Sequence, residues 1–167
     1  MTISIAIQEA WSTVCDAYAR GLVNSECTMH SLIYGELRSR LPDHLILCEP
    51  QINVERHGCF VPDIIVVKSR TVVAIVEFKF VPHHYPVYEL DLRKLVLLAA
   101  CEQDFPLLLD PKTGKFTPDL FRVGPDCLLV FAAIGKHDAA AVDLPTLVTA
   151  MAQFGDRFVP LVYGVGR

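Results

Sequence analysis

Apolar residues recur with helical spacing in the first forty positions of the chain. Over residues 5–19 they fall on one side of a helix. A second helix is predicted to begin at an N-cap provided by Asn24 or Ser25 and to end near residue 41, where Pro42 follows. The chain is therefore expected to open with two helices that each bury one face.

The hydrophobic pattern then changes from helical spacing to short β-branched runs. Residues 45–48 and 52–54 predict one strand or two pieces of one, and residues 64–67 and 72–80 predict a hairpin. The polar segment 68–71 has the length of a hairpin connector. The second hairpin run is apolar on both faces, which indicates a strand buried in the middle of a sheet.

Helical spacing returns over residues 87–102, and the rest of the chain alternates again. Residues 105–123 predict an excursion or a small hairpin, and residues 127–134 predict a buried strand. A helix over 143–154 and an edge strand over 158–162 complete the order. This alternation predicts one α/β domain across all 167 residues, or an α+β domain, with a mixed central sheet flanked by helices.

Composition narrows the class of protein. Hydrophobic residues make up 52% of the chain and charged residues 20%, which excludes a disordered protein. No apolar run reaches the roughly 18 residues of a membrane span, and no basic segment marks a secretion signal. Six cysteines lack a CxxC pair and four have apolar neighbours, so we expect buried free thiols and a cytoplasmic location.

The charge balance excludes nucleic-acid binding by bulk attraction. The net charge is −4, and Lys and Arg form no run. A protein that binds a phosphate backbone by its overall field carries a basic stripe. Any phosphate contact in this chain must therefore be made by a few residues or through a divalent metal.

Two charges interrupt the most buried-looking strand. Glu77 and Lys79 lie two residues apart, so they project from one face about 7 Å apart along the strand, while Phe78 points the other way. Buried charges are costly unless they are paired or bound to a metal. Asp63, which follows Pro62, opens the partner strand and adds a carboxylate at the same end.

This set of side chains suits metal-assisted hydrolysis of a phosphodiester bond. Asp63 and Glu77 supply oxygen ligands for Mg²⁺ or Mn²⁺, with positions left for water and a phosphate oxygen. The ammonium group of Lys79 is expected to orient the attacking water or to stabilise the transition state.

The same residues resemble a known signature. Pro62-Asp63, thirteen residues and then Glu77-Phe78-Lys79 resemble the PD-(D/E)xK motif of the restriction-endonuclease-like nuclease superfamily. The resemblance covers residues 25–134. It implies a core of helix, three-strand meander, helix and strand, and it implies a metal-dependent endonuclease that acts on nucleic acid, with DNA as the expected substrate.

Members of that superfamily often add a glutamate from the preceding helix. The resemblance favours Glu26, in the first turn of the second helix, and leaves Glu36 in reserve. After the signature, Tyr88, Asp91 and Lys94 recur at a spacing of three and fall on one stripe of the next helix.

The residues of this stripe are expected to bind substrate. Lys94 would contact a phosphate and Asp91 would hold Lys79 or Lys94, although an i, i+3 ion pair on a half-exposed helix is an equal interpretation. His84, beside His83 in a proline-bounded loop, is a further candidate for substrate binding. Cleavage of both strands of a duplex would favour a homodimer, and a separate partner protein is an open alternative.

Three other interpretations stay open. The first is a non-catalytic domain of the same superfamily that binds a protein or a nucleic acid, and the second is a purely structural Glu77–Lys79 ion pair. The third is a tetrahedral zinc site. Its ligands would be Cys27, His30, His57 and Cys59.

The metal hypothesis imposes a condition on strand pairing. Residues that lie opposite each other on antiparallel strands share a face, so Asp63 must lie opposite Glu77. A connector of even length with regular pairing would instead place it opposite Val76. The hypothesis therefore predicts an odd-length connector or a β-bulge between Asp63 and Glu77.

Overall fold

The structure is a computed structural model of the chain. Tyr88, His84 and His57 lie outside the residues it describes, as does most of the helix predicted over 143–154. The described residues are 1–54, 58–83, 89–110, 115–136, 149 and 152–165.

Helices and strands alternate along the described chain. The helices are α1 (Ile3–Ala19), α2 (Glu26–Arg40) and α3 (Glu89–Ala99). The strands are β1 (Leu45–Cys48), β2 (Gln51–Val54), β3 (Gly58–Phe60), β4 (Ile64–Lys68), β5 (Thr71–Val81), β6 (Phe105–Asp110), β7 (Lys115–Lys136) and β8 (Phe158–Val165).

Helix α2 begins where its capping sequence predicts. The Ser25 side chain accepts a hydrogen bond from the Thr28 amide at 3.2 Å, which satisfies one of the unpaired N–H groups of the first turn. Glu26 is therefore the first residue of α2, at the end of the helix that carries the positive end of its dipole.

The sheet is mixed, as the alternation of elements predicts. Its strand order is β1-β4-β5-β7-β6-β2-β3, and β8 pairs with β7. Strands β1, β4 and β5 are antiparallel neighbours, whereas β5, β7 and β8 run parallel to one another. The chain therefore has an α/β fold with a mixed, open sheet and helices beside it.

Two strand predictions differ from the observed sheet. The runs at 45–48 and 52–54 are not pieces of one strand, because β1 pairs with β4 whereas β2 pairs with β3 and β6. The excursion at 105–123 is a hairpin, and its second strand continues without a break into the predicted buried strand to form β7. One strand thus belongs to both arms of the sheet.

Strand β5 is buried on both sides, as its composition indicates. Val76 and Phe78 face a core formed with α1 and α2. Ile75 faces the other core, which contains Leu92 and Leu95 of α3 and residues from β2 and β6. Side chains that alternate along β5 therefore enter two separate hydrophobic cores.

The β4–β5 hairpin contains a β-bulge in the segment where the metal hypothesis requires one. Pairing is regular from the turn as far as Val67, opposite Val72, and then shifts so that Val66 lies opposite Ala74. The extra residue is Val73. Because a bulge inserts a single residue into one strand, it reverses which side chains lie opposite each other beyond that point.

The bulge brings the two carboxylates into line. The ladder ends with Ile64 opposite Val76, so extending the same register by one step puts Asp63 on the face of Glu77. The connector between the strands is the two-residue turn Ser69-Arg70, which without the shift would have turned Asp63 towards the other face. The predicted bulge is confirmed.

Three parallel strands end at the same edge of the sheet. Val81, Lys136 and Val165 are the last residues of β5, β7 and β8. Ligands of α/β proteins bind preferentially outside the carboxyl ends of parallel strands. Lys79 lies near this edge, so the predicted site has the position that the architecture favours.

The burial of the cysteines differs from expectation. All six are free, but only Cys101 and Cys127 are buried, and three others are exposed because they lie on a helix surface or on short outer strands. No helix in the part of the chain that the structure describes is long and apolar enough to cross a membrane.

Candidate functional site

Two carboxylates bind the edge of β5 at the point where β4 has ended. The Phe78 amide donates a hydrogen bond to Oδ2 of Asp63 at 2.6 Å, and the Phe80 amide donates one to Oε2 of Glu26 at 3.2 Å. The N–H groups of neighbouring residues in a strand point to opposite edges. The amides of Phe78 and Phe80, which are two residues apart, therefore point to the same edge. The carboxylates thus replace the missing strand as hydrogen-bond acceptors.

Glu77 is the most deeply buried charged group of the site. Its residue is 1% exposed, and its Oε2 accepts a hydrogen bond from Nζ of Lys94 at 2.5 Å. Its Oε1 is buried and has no hydrogen-bond partner among the residues that the structure describes. Burial and the neighbouring charge of Asp63 raise the pKa of Glu77 to about 8, against the opposing effect of Lys94.

Asp91 joins the two lysines of the site. Its Oδ2 lies 2.8 Å from Nζ of Lys79, and its Oδ1 lies 3.4 Å from Nζ of Lys94. Asp91 therefore contacts both lysines, and its contact with Lys94 is also the i, i+3 ion pair of the structural interpretation. The structural interpretation of a Glu77–Lys79 pair is wrong in its partners, because α3 supplies Lys94 to Glu77 and Asp91 to Lys79.

The pKa values of Asp63 and Lys94 also reflect this cluster. Burial raises the pKa of Asp63, and the charge of Glu26 adds to the rise, although the Phe78 amide, His30 and Lys94 oppose it. Burial alone would lower the pKa of Lys94, but its hydrogen bond to Glu77 and the surrounding carboxylates raise it. Several carboxyl groups therefore share too few positive charges, a condition under which a cation is attracted.

A cavity of about 420 Å³ opens on the α2 side of the site, lined in part by Glu26, His30 and Glu49. The His30 ring packs against Phe78 with ring centres 4.8 Å apart, and its Nε2 is buried with no hydrogen-bond partner in the described part of the chain. The nuclease hypothesis did not include His30. The signal that would have found it is the i, i+4 spacing from Glu26, which places both side chains on one face of α2.

The two candidate helix glutamates lie in different places. Glu26 reaches the edge of β5, whereas Glu36 forms an ion pair with Arg40 near the other end of α2. Only Glu26 approaches Asp63, and its charge contributes to the raised pKa of that residue. Glu36 is therefore excluded from the site.

The other residues predicted for substrate or zinc binding are histidines, cysteines and one tyrosine. His83 is exposed at the end of the described segment, while Tyr88 and His84 lie outside it. Of the four zinc ligands considered, His57 is also outside the described residues. Cys27 and His30 lie on α2 and Cys59 lies on β3.

No preformed cation cage is found among the residues that the structure describes, in the sense that no three His, Cys, Asp or Glu side chains group closely enough to hold a metal ion by themselves. Comparison of the chain with known protein families, with curated proteins and with solved structures finds no match. Functional inference therefore depends on the geometry of the site.

Proposed function

We propose that the protein is a divalent-metal-dependent nuclease that hydrolyses phosphodiester bonds in nucleic acid, with DNA as the expected substrate. The observation that carries the proposal is the bulge at Val73, which aligns Asp63 with Glu77 on the face that also carries Lys79. A generic sheet has no need for this alignment, whereas two carboxylates and an ammonium group on one face suit phosphoryl chemistry.

The donor set fits Mg²⁺ or Mn²⁺. Asp63 and Glu77 offer hard oxygen ligands, and Mg²⁺ is often bound by only one or two carboxylates together with water and substrate phosphate. The buried, unpartnered Oε1 of Glu77 is a donor atom that lacks an interaction among the described residues. When bound, a cation would acidify a water molecule and offset negative charge on the reacting phosphate.

The chain's own residues have distinct roles in this proposal. Asp63 and Glu77 hold the cation, and Glu26 is the additional carboxylate at the edge of β5. Lys79 faces the reacting phosphate and its water, and Asp91 fixes the direction of its ammonium group. Lys94, which neutralises Glu77 in the present structure, would contact a phosphate oxygen of the substrate.

The order of elements also supports the proposal. Helix α2, the antiparallel strands β1, β4 and β5, helix α3 and the parallel strand β7 follow the order expected for a restriction-endonuclease-like core. The chain departs from that plain order by inserting β2 and β3 between β1 and β4. Those two strands extend the other arm of the sheet.

The experiment is a cleavage assay with matched variants. Wild type, Asp63→Asn, Lys79→Met and the control Asp43→Asn are incubated in Mn²⁺ with plasmid, linear duplex, single-stranded DNA and RNA. Asp43 is exposed and precedes β1 at the opposite edge of the sheet. We expect cleavage by wild type and Asp43→Asn, reduced at least 100-fold in the other two. Equal background from all four proteins contradicts the proposal.

A non-catalytic binding module is the second candidate, and the closed ion pairs favour it. Lys94 pairs with Glu77 and Asp91 pairs with Lys79, so both charged side chains of β5 already have a partner. In that case the wild type would bind a protein or nucleic acid without cleaving it. Asp63→Asn would then bind as tightly as the wild type, and Mn²⁺ would change neither affinity.

A further inference from the structure

A second cavity lies at the carboxyl edge of the parallel strands. It has a volume of about 700 Å³ and is lined by Tyr18 of α1, Asn24, Phe80 and Val81 at the end of β5, and Tyr163 of β8, among others. Its size suits a nucleoside rather than a single ion or water. None of its described lining residues takes part in the proposed hydrolysis.

Three aromatic rings form one wall of this aromatic cleft. Phe80 and Tyr163 both lie beside Ile134 of β7, so they occupy one row across three parallel strands. The Tyr18 ring packs edge-on against both, with centres 5.9 Å from Phe80 and 6.0 Å from Tyr163. All three aromatic side chains are half-buried, so their packing fixes them while part of their surface remains accessible.

The charge of the aromatic cleft differs from that of the cavity beside His30. None of the described residues that line the cleft is an aspartate or a glutamate, and His83 is one of them. The cavity beside His30 carries Glu26 and Glu49, which would repel a phosphate group. In a chain with a net charge of −4, the aromatic cleft is therefore the more favourable path for an anionic strand.

Phe80 joins the cleft to the proposed catalytic site. Its ring lines the cleft, its amide donates a hydrogen bond to Glu26, and it directly follows Lys79. The Lys79 side chain projects from the opposite face, so the link runs along the edge of β5. The amides of Phe78 and Phe80, two residues or about 6.6 Å apart, hold Asp63 and Glu26 at that edge. A nucleotide chain that follows this edge would pass from the cleft to Asp63.

We propose that the aromatic cleft binds an unpaired nucleobase of the strand whose phosphate lies at the Asp63–Glu77 site, which makes single-stranded or frayed nucleic acid the substrate class. This inference rests on the proposed function. Stacking on aromatic side chains is tolerant of sequence and requires a base that is not paired. The Asn24 side chain supplies a donor and an acceptor beside the rings for the edge of that base.

The test combines a base deletion with a ring deletion. Binding of a fluorescein-labelled 12-nucleotide single strand is measured by anisotropy in Ca²⁺, which takes the same oxygen ligands as Mg²⁺, and gel electrophoresis checks that the strand stays intact. A single abasic site is moved through the strand, with DNA and RNA versions and a duplex as separate arms. The proteins are wild type, Tyr163→Ala, Tyr163→Phe and the control Tyr34→Ala. The control removes a tyrosine from the cavity beside His30 and leaves the aromatic cleft unchanged.

The expected result is a specific coupling. At one position the abasic site weakens binding by wild type about 5- to 150-fold, and the same site changes binding by Tyr163→Ala less than 2-fold. Tyr163→Phe keeps the ring and Tyr34→Ala leaves the cleft intact, so both behave as the wild type. Thermal melting checks that each variant is folded, and Tyr163→Phe gives a folded comparison if the alanine variant melts early.

The outcomes separate this inference from the proposed function. Cleavage activity with no abasic effect at any position overturns the cleft inference and leaves the nuclease proposal standing. Coupling without cleavage in Mn²⁺ supports the cleft as a binding site and contradicts hydrolysis. Failure of wild type to bind any strand overturns the inference and favours an apolar protein side chain as the occupant.

Discussion

At the scale of single residues, the burial of Glu77 dictates much of the site. A carboxylate that is 1% exposed is stable only if another group compensates for the lost hydration. Lys94 does so for one oxygen, at 2.5 Å, and Asp91 then links Lys94 to Lys79. Four charged side chains are consequently held in one arrangement before any ligand arrives.

The pairing predicts a specific pattern of stability. In Lys94→Met, Glu77 keeps its burial and loses its hydrogen-bond partner, so we expect the free energy of unfolding to fall by about 1–3 kcal/mol, the range for an unsatisfied buried polar group. A carboxyl group whose pKa is already raised to about 8 takes up a proton rather than staying as an unpaired charge, so the larger loss of a broken buried ion pair is not reached. The double variant Lys94→Met/Glu77→Gln should regain at least half of the loss in urea denaturation. A double variant no more stable than Lys94→Met would contradict the pairing.

The pKa of Glu77 predicts how stability depends on pH. Because the pKa is raised to about 8 in the folded protein, the folded state holds a proton that the unfolded state releases above about pH 4.5. The contribution of Glu77 is therefore fully present below that pH and is lost as the pH rises towards 8. The raised pKa of Asp63 acts in the same direction.

The corresponding measurement is urea denaturation between pH 5 and pH 8 in EDTA. Wild type should lose stability across this window, and Glu77→Gln should lose clearly less because glutamine does not titrate. Identical slopes for the two proteins would show that Glu77 has an ordinary pKa.

At the scale of elements, the β4–β5 hairpin determines whether the site exists. Ser69 and Arg70 have φ angles of 49° and 69°, as in a type I′ turn, although neither is the Asn or Gly that this turn favours. The sequence therefore predicts a hairpin but not its turn type. The bulge was predictable only from the requirement that Asp63 and Glu77 share a face, because no local sequence signal marks Val73.

The bulge region predicts opposite effects of the same substitution at two glycines. A Cβ on Gly124 would lie 2.9 Å from Cγ2 of Thr71 and 3.2 Å from the Val72 carbonyl, beside the bulge. We expect Gly124→Ala to destabilise the protein by about 1–3 kcal/mol. A Cβ on Gly35, inside α2, would meet no described atom within 4 Å outside the helix's own backbone, so Gly35→Ala should stabilise by about 0.5–1 kcal/mol.

Both glycine variants are compared with wild type by urea denaturation. Each change adds one methyl group, so the two variants differ only in their surroundings. Equal effects at the two positions would contradict the close packing of β7 on the bulge.

At the scale of the whole molecule, local patterns predicted more of the fold than of the site. Helices α1 and α2, the β4–β5 hairpin and the doubly buried β5 follow from hydrophobic spacing, which is a local property. The division of β1 and β2 between two arms of the sheet does not, because strand partners depend on contacts distant in sequence. The same limit explains why the Lys94–Glu77 pair could not be predicted.

The candidate site is likewise only partly predictable from local sequence. Asp63, Glu77 and Lys79 could be proposed because charged residues in or beside an apolar strand break the hydrophobic pattern. His30 could not be proposed in this way, because it packs against Phe78, which lies 48 positions away on another element. The aromatic cleft could not be predicted either, because Phe80 and Tyr163 become neighbours only through the pairing of β5 and β8 with β7.

The most direct test of the proposed metal site is a titration of Mn²⁺ followed by electron paramagnetic resonance of the free ion. The proteins are wild type, Asp63→Asn and the control Asp43→Asn, each at one concentration and with no nucleic acid present. We expect a tight Mn²⁺ site in wild type and Asp43→Asn, weakened at least tenfold in Asp63→Asn, since that variant loses a charged oxygen ligand. Equal Mn²⁺ binding by all three proteins, or none by wild type, would contradict it.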